Sequence, residues 1–417
     1  MNDPAPTQPA IGAKPALFSH RPFVQLYALR LGSNTSNQML AVVVGYQVYE
    51  LTDSAWHLGL VGLMQFLPPL FLMLLAGQIA DRFNRRMILR CAFAVEIAMA
   101  IGLMLLTLQP QPSVETIYLL LLVNAGARTF EQPVTQAILP AVIPRALLSR
   151  AVPTIVFANR MANLLGPAIG GGLYLFGPAA AYAACAALLA IAGVMSLVMP
   201  DVPIVGERPK VNVESLFGGF RFLWRCKPVL GAMTLDLMAV LFGAVTALLP
   251  IFARDILEIG PAGAGILRSS QAVGALLVAG VLARFPIVRN GGAAVLLGFA
   301  AYGVGTVVFG VSEIVLLSVL ALMVVGAGDM VSSIIRQTVV QITTPDAMRG
   351  RVFAVNALFV GSSAQLGGFT SGTMAALIGA VPAVAVGGCA VVATVALWAW
   401  LFPSLRRMDR ADEPQPY

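Results

Sequence analysis

The fold is decided by the stretch Gly77-Gln78-Ile79-Ala80-Asp81-Arg82-Phe83-Asn84-Arg85-Arg86. It joins two long apolar segments and carries a glycine, an acid four residues later and a basic cluster behind the acid. Charged side chains are costly in hydrocarbon, so such a cluster marks a place where the chain leaves a membrane and enters it again. The stretch therefore predicts a tight charged loop between two membrane spans.

The composition predicts that most of the chain lies in lipid. Of the 417 residues, 58% are hydrophobic and 11% are charged, whereas charged residues approach roughly 25% of a soluble domain. A span needs about 20 apolar residues, and a span of that length satisfies its backbone polar groups as a helix. We therefore predict an all-α membrane protein with twelve transmembrane helices. Their approximate ranges are 23–49, 57–79, 87–108, 115–139, 151–175, 179–199, 229–251, 262–283, 292–311, 313–336, 352–377 and 382–402.

The distribution of lysine and arginine predicts the orientation. These residues are retained on the cytoplasmic side, and the loops near 50–57, 109–115, 176–178 and 378–382 contain neither, with Arg254 as the one exception on that side. Both termini are therefore predicted to be cytoplasmic. The formal charge of +7 is spread over the cytoplasmic loops, which is a topological pattern, so no nucleic-acid partner is expected.

Residue usage excludes several chemistries. The cysteines are scattered without a Cys-x-x-Cys pair, which indicates small packing residues, and the histidines are too few for a zinc cluster. No lysine stands in a phosphate-binding loop. No cofactor and no metal are therefore expected, and the chain is predicted not to be an enzyme. The first apolar run is a full span without a small-residue cleavage site, so no signal peptide is expected.

The two halves of the chain read as repeats. A shift of 201 residues places Gln136 on Gln337, Pro144 on Pro345, Arg150 on Arg351, Gly166 on Gly367 and Gly171 on Gly372. A shift of 203 places Gly77 on Gly280, with Arg284 where Asp81 stands. Secondary transporters are commonly built from such repeats, with the site between them. We therefore predict two pseudo-symmetric six-helix bundles.

A polar segment between the repeats predicts how the chain is divided. It begins near Pro200, and residues 213–225 alternate apolar and charged side chains, which is typical of a short amphipathic helix on the inner membrane face. The predicted divisions are a cytoplasmic tail at 1–21, a bundle at 22–199, a linker with this helix at 200–228, a bundle at 229–403 and a cytoplasmic tail at 404–417.

Span five contains Gly166-Pro167-Ala168-Ile169-Gly170-Gly171. Proline interrupts the helical hydrogen bonds, and small residues at this spacing permit close helix contact. The run predicts a pliable and tightly packed helix, and a plain kink is the alternative.

Together these features resemble the major facilitator superfamily of secondary transporters. The charged loop resembles its signature loop, and the glycine-proline run resembles its antiporter motif, with Ala162 where an upstream glycine is expected. Further stretches resemble the enterobactin-exporter branch, and the resemblance covers nearly the whole membrane portion. They are 46–52, 58–62, Arg128-x-Phe130-x-x-Pro133 and 344–352. The chain departs from that branch in span eleven, where Ala364-Gln365-Leu366 replaces expected acidic residues.

The resemblance implies a proton-driven exporter of the bacterial inner membrane, acting on siderophores, drugs or other amphiphilic metabolites. It implies a cytoplasmic gate loop formed by Gly77, Asp81, Arg82, Arg85 and Arg86, in which Asp81 meets the positive N-terminal end of a helix from the other half. We expect a monomer whose partners are a small-molecule substrate, protons and membrane lipids. Uptake or facilitated diffusion through the same fold is the alternative, and a non-transporting receptor or enzyme is a remote one.

Ionisable side chains within spans are costly and are therefore functional candidates. In the superfamily that the chain resembles, spans one, four, seven and ten surround a central cavity. We hypothesise that this cavity is lined by Arg30, Arg128, Glu131, Asp236 and Asp329, with a carboxylate, Glu131 or Asp329, carrying a proton. Permanent ion pairs that lock the helices together are the alternative.

Further polar side chains lie on one stripe of span one, namely Asn34, Asn37 and Gln38. A stripe of this kind either lines the cavity or packs against a neighbouring helix. The other ionisable residues of the spans are Glu96, for which a local pair is expected, and Arg160, Arg268 and Arg336, which receive no role.

Overall fold

The computed structural model of the chain describes residues 17–200, 224, 227–285, 290–344 and 346–403. Within these ranges the regular structure is helical, and no strand occurs. The predicted amphipathic helix of the linker and most of both predicted tails lie outside the described residues.

The described part of the chain contains twelve long helices, as predicted. They are α1 (Arg21–Thr52), α2 (Ala55–Arg82), α3 (Arg85–Thr107), α4 (Val114–Val142), α5 (Arg145–Tyr174), α6 (Pro178–Val198), α7 (Lys227–Gly243), α8 (Gly260–Arg284), α9 (Gly291–Val311), α10 (Val315–Thr343), α11 (Asp346–Ile378) and α12 (Ala380–Leu401). By length and hydropathy, eight described segments are able to cross a membrane. The four other helices, α1, α4, α5 and α11, carry more polar residues in their middle.

Local signals in the sequence account for the helix ends. Asn84 caps α3 by accepting a hydrogen bond from the backbone N–H of Arg86 at 2.9 Å, and Ser113 caps α4 by accepting from that of Thr116 at 3.2 Å. The α5–α6 turn contains Gly177 at φ 100°, a conformation that favours glycine.

Span seven is interrupted, although the sequence predicts one continuous helix over 229–251. The helix α7 stops at Gly243, and the chain continues through the short helical turns Val245–Ala247, Leu249–Ile251 and Phe252–Ile256. The carbonyl of Gly243 accepts a hydrogen bond from the hydroxyl of Tyr302 at 2.7 Å, so a tertiary partner satisfies the backbone group at the break.

The helices of the two halves pack in the same order. In the first half α1 packs on α5 and α6, α3 packs on α4 and α6, and α2 packs on α4; the second half repeats these pairs with α7 to α12. The halves meet through the pairs α2–α11 and α5–α8. The pseudo-twofold symmetry that relates the halves maps one pair onto the other, because α2 corresponds to α8 and α5 corresponds to α11. The repeat read from the sequence is therefore present in the packing.

The two ends of the bundle differ. One end carries the α1–α2, α5–α6, α7–α8 and α11–α12 turns. There one apolar core contains residues of both halves, such as Val44, Tyr182, Leu248 and Phe309, and we call this the closed end. Towards the opposite end each half has its own apolar core, around Phe93 in the first half and Phe299 in the second. The described halves thus share a core at the closed end only.

Candidate functional site

A cavity lies between the halves, just beneath the closed end. Residues of α1, α2, α4, α8 and α11 line it, together with the turn at Thr246–Pro250. Its polar described lining consists of Asn37, Gln38, Gln65, Asn124, Arg128, Thr246, Arg268 and Gln365. The rest of the described lining is apolar or glycine, so the cavity combines hydrogen-bonding groups with an apolar wall.

The predicted polar stripe of α1 has both of its expected environments. Asn34 donates a hydrogen bond to Asn159 at 2.7 Å, and Gln38 donates to Asn163 at 2.7 Å, so the stripe packs on α5. Asn37 and Gln38 also line the cavity. The stripe therefore connects the cavity wall to the helix that carries the glycine-proline run.

In the first half, the ionisable residues gather behind the cavity. Glu131 is buried and accepts a hydrogen bond from the hydroxyl of Ser33, with distances of 2.9 and 3.0 Å to its two oxygens. Arg30 interacts electrostatically with Glu131. Glu96 is fully buried and interacts with Glu131 and Arg128. Of this group, Arg128 lies on the cavity wall.

The second half has a separate charged group. The carboxylate of Asp236 pairs with the guanidinium of Arg336 at 3.5 Å, and both side chains are buried. Asp329 interacts electrostatically with Arg336 and with Arg160 of the first half, whose guanidinium lies 3.9 Å from the sulfur of Met330. Arg336 and Arg160, which the sequence left without a role, are therefore the partners of the two aspartates.

These contacts show how the five predicted charged residues are arranged. Arg30 interacts with Glu131 within the first half, and Asp236 pairs within the second. In the sequence, a shift of 201 residues places Arg128 on Asp329, and Arg30 and Asp236 lie at similar depths in spans one and seven, so that a base faces an acid in each pair. The described chain does not bring the members of these pairs into ion pairs with one another. A role in carrying a proton stays a prediction.

The basic residues of the loop between α2 and α3 bind the first half itself. The guanidinium of Arg86 donates to the carbonyl of Leu197 in the last turn of α6, and that of Arg90 donates to the same oxygen at 3.3 Å. Cations are favourable at this negative helix end. Arg85 is buried and lies 3.4 Å from the carbonyl of Ala137. These bonds hold the loop on α4 and α6.

Three other members of the predicted gate loop differ in environment. Arg82 is exposed. The side chain of Asp81 lies outside what the structure describes, as do those of residues 346–351, so the predicted latch stays a prediction. No described atom lies within 4 Å of a Cβ built on Gly77, and the same holds for its counterpart Gly280.

The glycines of span five are contact points for two helices. A Cβ on Gly166 would lie 2.7 Å from Cβ of Gln38, and one on Gly170 would lie 3.0 Å from Cα of Met39, both on α1. A Cβ on Gly171 would lie 2.5 Å from the carbonyl oxygen of Pro261 on α8. The run thus brings α5 against α1 and against the other half, where the carbonyl of Pro167 meets α8 at Gly265.

The second contact between the halves uses glycines as well. A Cβ on Gly62 would lie 2.8 Å from the carbonyl oxygen of Gln365, and one on Gly372 would lie 2.5 Å from the backbone of Gly59. Backbones at such distances leave no room for side chains. Both inter-half pairs of helices are therefore in closest contact towards the closed end.

Polar pairs complete the closed end. The guanidinium of Arg254 pairs with the carboxylate of Asp53 at 2.6 Å, joining the α1–α2 turn to the second half. The hydroxyl of Tyr49 donates to the carboxylate of Asp255, which joins the same halves. Arg254, the exception in the predicted charge distribution, is thus held by an acid of the opposite half.

Sequence reasoning missed part of the cavity lining, above all Arg268. One signal was available: under the shift of 203 that aligns α2 with α8, Arg268 falls on Gln65, and both line the cavity. Both also lie one turn from a glycine of an inter-half contact, Gly265 and Gly62 respectively.

Comparisons with known proteins agree with this architecture. A family model described as transmembrane secretion effector matches residues 13–416. The chain is 29% identical over 340 residues to a protein of Escherichia coli O81 named enterobactin exporter EntS, covering 81% of each chain. It is 27% identical over 407 residues to the protein of that name from Citrobacter koseri, covering 96% of each.

Solved structures share the fold. A bacterial homologue of the human lysosomal transporter Spinster superposes with a TM-score of 0.72 at 16% identity, covering 97% of this chain and 100% of that one. A mutant of the nucleoside transporter NupG gives 0.73 at 15% identity, covering 92% and 99%. At such identities the likeness concerns the fold.

Proposed function

Because the chain belongs to the transmembrane secretion effector family, in the enterobactin-exporter-like branch of the major facilitator superfamily, we propose that it exports a small amphiphilic molecule by proton-coupled alternating access. It is a multi-pass membrane transporter with the all-α major facilitator fold, and not an enzyme. Direction, coupling and mechanism are the proposed part.

Alternating access is supported by one observation above all, the difference between the two ends of the inter-half helix pairs. Near the closed end, glycines of α2, α5, α8 and α11 bring backbones into contact, whereas towards the other end Gly77 and Gly280 have no described neighbour within 4 Å of a built Cβ. Rocking of one half on the other would close the second end and open the first. The moving units would be 22–199 and 229–403, joined by the linker at 200–228.

The proposed location is the bacterial inner membrane, with both termini cytoplasmic. The turns that lack both lysine and arginine lie at the closed end, where Arg254 is the one exception among the described residues, and basic residues such as Arg82 and Arg86 lie at the other end. Under the positive-inside rule the closed end faces away from the cytoplasm. The cavity would then be reached from the cytoplasm, as an exporter requires for loading.

Export of a siderophore-like or other amphiphilic substrate is supported by the relatives, which are named enterobactin exporters. The mixed polar and apolar wall of the cavity suits an amphiphilic ligand. Substrate loading from the cytoplasm and proton entry from the far side would then alternate at the same central region.

For the proton, we propose Glu131 and Asp329 as the carriers. Glu131 lies behind cavity residue Arg128, bonded to Ser33, and Asp329 interacts with an arginine of each half. A carboxylate near an arginine can be ionised when the cation is close and protonated when it moves away. Movement of the halves would change the interaction between Asp329 and Arg160 most directly.

Proteoliposomes with an imposed pH gradient test the proposal. A panel of catecholates, dyes and antibiotics is offered, and addition of the transported compound should release protons in exchange. Asp329→Asn or Glu131→Gln should abolish the proton exchange, whereas Glu115→Gln, an exposed carboxylate at the closed end, should preserve it. Transport that ignores the pH gradient would remove proton coupling from the proposal. Coupled transport that persists in both variants would remove Asp329 and Glu131 as the carriers.

The gate loop gives a second test. Arg86 and Arg90 anchor the loop to α6, which would present Asp81 at a fixed place for a latch with the other half. Asp81→Asn should abolish or sharply slow transport while the protein stays folded. Transport at the wild-type rate would refute the latch.

A further inference from the structure

We propose that the cavity is an anion site, in which an organic monoanion binds between Arg128 of the first half and Arg268 of the second. The proposal rests on the proposed transport function and names its substrate class. It follows from the charges that line the cavity and from those that do not.

The described wall of the cavity carries two arginines and no carboxylate. Arg128 projects from α4 and Arg268 from α8, and neither forms an ion pair or a hydrogen bond among the described residues. The remaining polar groups of the wall are neutral, so nothing on it offsets the two cations. Arg128 has the acidic neighbour Glu96 behind the wall, but an arginine in a membrane interior without a counter-ion carries a large solvation penalty.

A comparison of the charged groups around the cavity singles out Arg268. One set, behind the cavity in the first half, consists of Arg30, Arg128, Glu96 and Glu131. The other consists of Arg160, Asp236, Asp329 and Arg336. Each set therefore contains two arginines and two carboxylates. Among the described residues no carboxylate interacts electrostatically with Arg268, so this arginine brings a positive charge to the cavity that no described acid offsets.

The position of Arg268 fits a role at the interface. It lies one turn along α8 from Gly265, the residue at which α8 touches α5. Its pseudo-symmetric counterpart, Gln65, is neutral and lines the same cavity. The cation is thus a feature of one half, and a ligand held by it and by Arg128 would bridge the halves.

The rest of the wall defines the body of the ligand. Amides of Gln38, Gln65, Asn124 and Gln365 supply donors and acceptors. The remaining surface is formed by leucine and valine side chains of α1, α2 and α4, by Leu249 and Pro250, and by alanines and glycines. Arginine binds carboxylate or phosphate groups with two parallel hydrogen bonds. The fitting ligand is therefore an organic monoanion with one such group on a largely apolar body.

Binding to the purified full-length protein in detergent tests the proposal, with three probes that share one ring system and differ in charge. They are 2-naphthoate, 2-naphthamide and 2-naphthylmethyl-trimethylammonium, measured by titration calorimetry. The Kd of naphthoate should be at least tenfold lower than that of the amide, and the ammonium should bind weakest. Equal affinities, or preference for the ammonium, would overturn the anion site.

Variants locate the site. Arg268→Gln should raise the Kd of naphthoate at least tenfold and leave that of the amide within twofold, and Arg268→Lys should fall between. Arg150→Gln changes an exposed arginine near the start of α5 and should behave as the wild type. Unchanged naphthoate binding in a folded Arg268→Gln protein would refute the assignment.

A second variant keeps the test decisive if Arg268→Gln does not fold. Gln65→Glu places a carboxylate on the opposite wall, which should weaken naphthoate binding at least tenfold and favour the ammonium. Retained selectivity for naphthoate would refute the proposal. Binding in detergent needs no gradient, so the two proposals can fail separately. Selective binding without transport in proteoliposomes would refute the proposed function but not the anion site. Coupled transport of neutral compounds alone would refute the anion site but not the proposed function.

Discussion

Replacing Gly171 by alanine should push the halves apart at the closed end. The added Cβ would lie 2.5 Å from the carbonyl oxygen of Pro261 and 3.1 Å from Cα of Gly265, whereas ordinary contact begins at 3.4 Å. Both obstacles are backbone atoms, so no side-chain rotation relieves the overlap. Overpacking of this kind costs about 1–3 kcal/mol. In the state with the closed end open the contact is gone, so the cost falls on the closed state alone.

That difference sets the size of the effect. Each ~1.4 kcal/mol is a tenfold change in an equilibrium constant, so the ratio of molecules with the closed end open to molecules with it closed should rise roughly 5- to 150-fold. Spin labels on Phe176 and Glu258, exposed residues of opposite halves at the closed end, would report the separation as a second, longer distance in pulsed dipolar spectroscopy.

The matched control is Gly172→Ala, because no described atom lies within 4 Å of a Cβ built on the neighbouring residue of the same helix. Its distance distribution should match that of the unsubstituted protein. If Gly171→Ala and Gly172→Ala give the same distribution, the glycine contact does not set the balance between the two states.

Three other perturbations have expected outcomes. Arg336→Gln leaves the buried Asp236 without its ion-pair partner, which should cost about 3–5 kcal/mol of stability and lower the midpoint of thermal unfolding. Adding Asp236→Asn should restore part of the lost stability. An unchanged midpoint in the single variant would contradict the pairing. Arg254→Gln breaks a pair whose Asp53 side chain is 70% exposed, so opening of the closed end should be favoured by only ~1 kcal/mol or less. High salt should remove this effect. A change of more than tenfold in the ratio of the open to the closed state would contradict the prediction. Gly177→Ala forces alanine to φ 100°, and the added methyl group has no described neighbour to contact. The change should destabilise the protein by about 1–3 kcal/mol in the same unfolding assay. A neutral effect would mean that the turn relaxes.

The helices could be predicted from the sequence because lipid leaves few choices. An apolar run long enough to cross the bilayer has to be a helix, and Asn84 and the glycine of the α5–α6 turn end helices by local chemistry. The break of α7 could not be predicted in the same way, because the carbonyl of Gly243 at the break is satisfied by Tyr302, a residue of another helix.

The charged contacts were harder to predict, for a geometric reason. An internal shift of the sequence gives the depth of a residue in its span, but not the direction in which its side chain points about the helix axis. Arg30 and Asp236 lie at similar depths in their spans. The rotation of each helix about its axis nevertheless directs Arg30 towards Glu131, and Asp236 pairs with Arg336. The partners could be named only once the helices were packed.

The uncompensated Arg268 has an electrical consequence. If the site loads a monoanion and exchanges it for one entering proton, each cycle moves two elementary charges in the same sense across the membrane. A potential of 100 mV, negative inside, then contributes about 4.6 kcal/mol per cycle, since each charge is worth about 2.3 kcal/mol. A voltage alone, with no difference in pH, would therefore drive such a carrier, and transport of its cargo would register as an electric current.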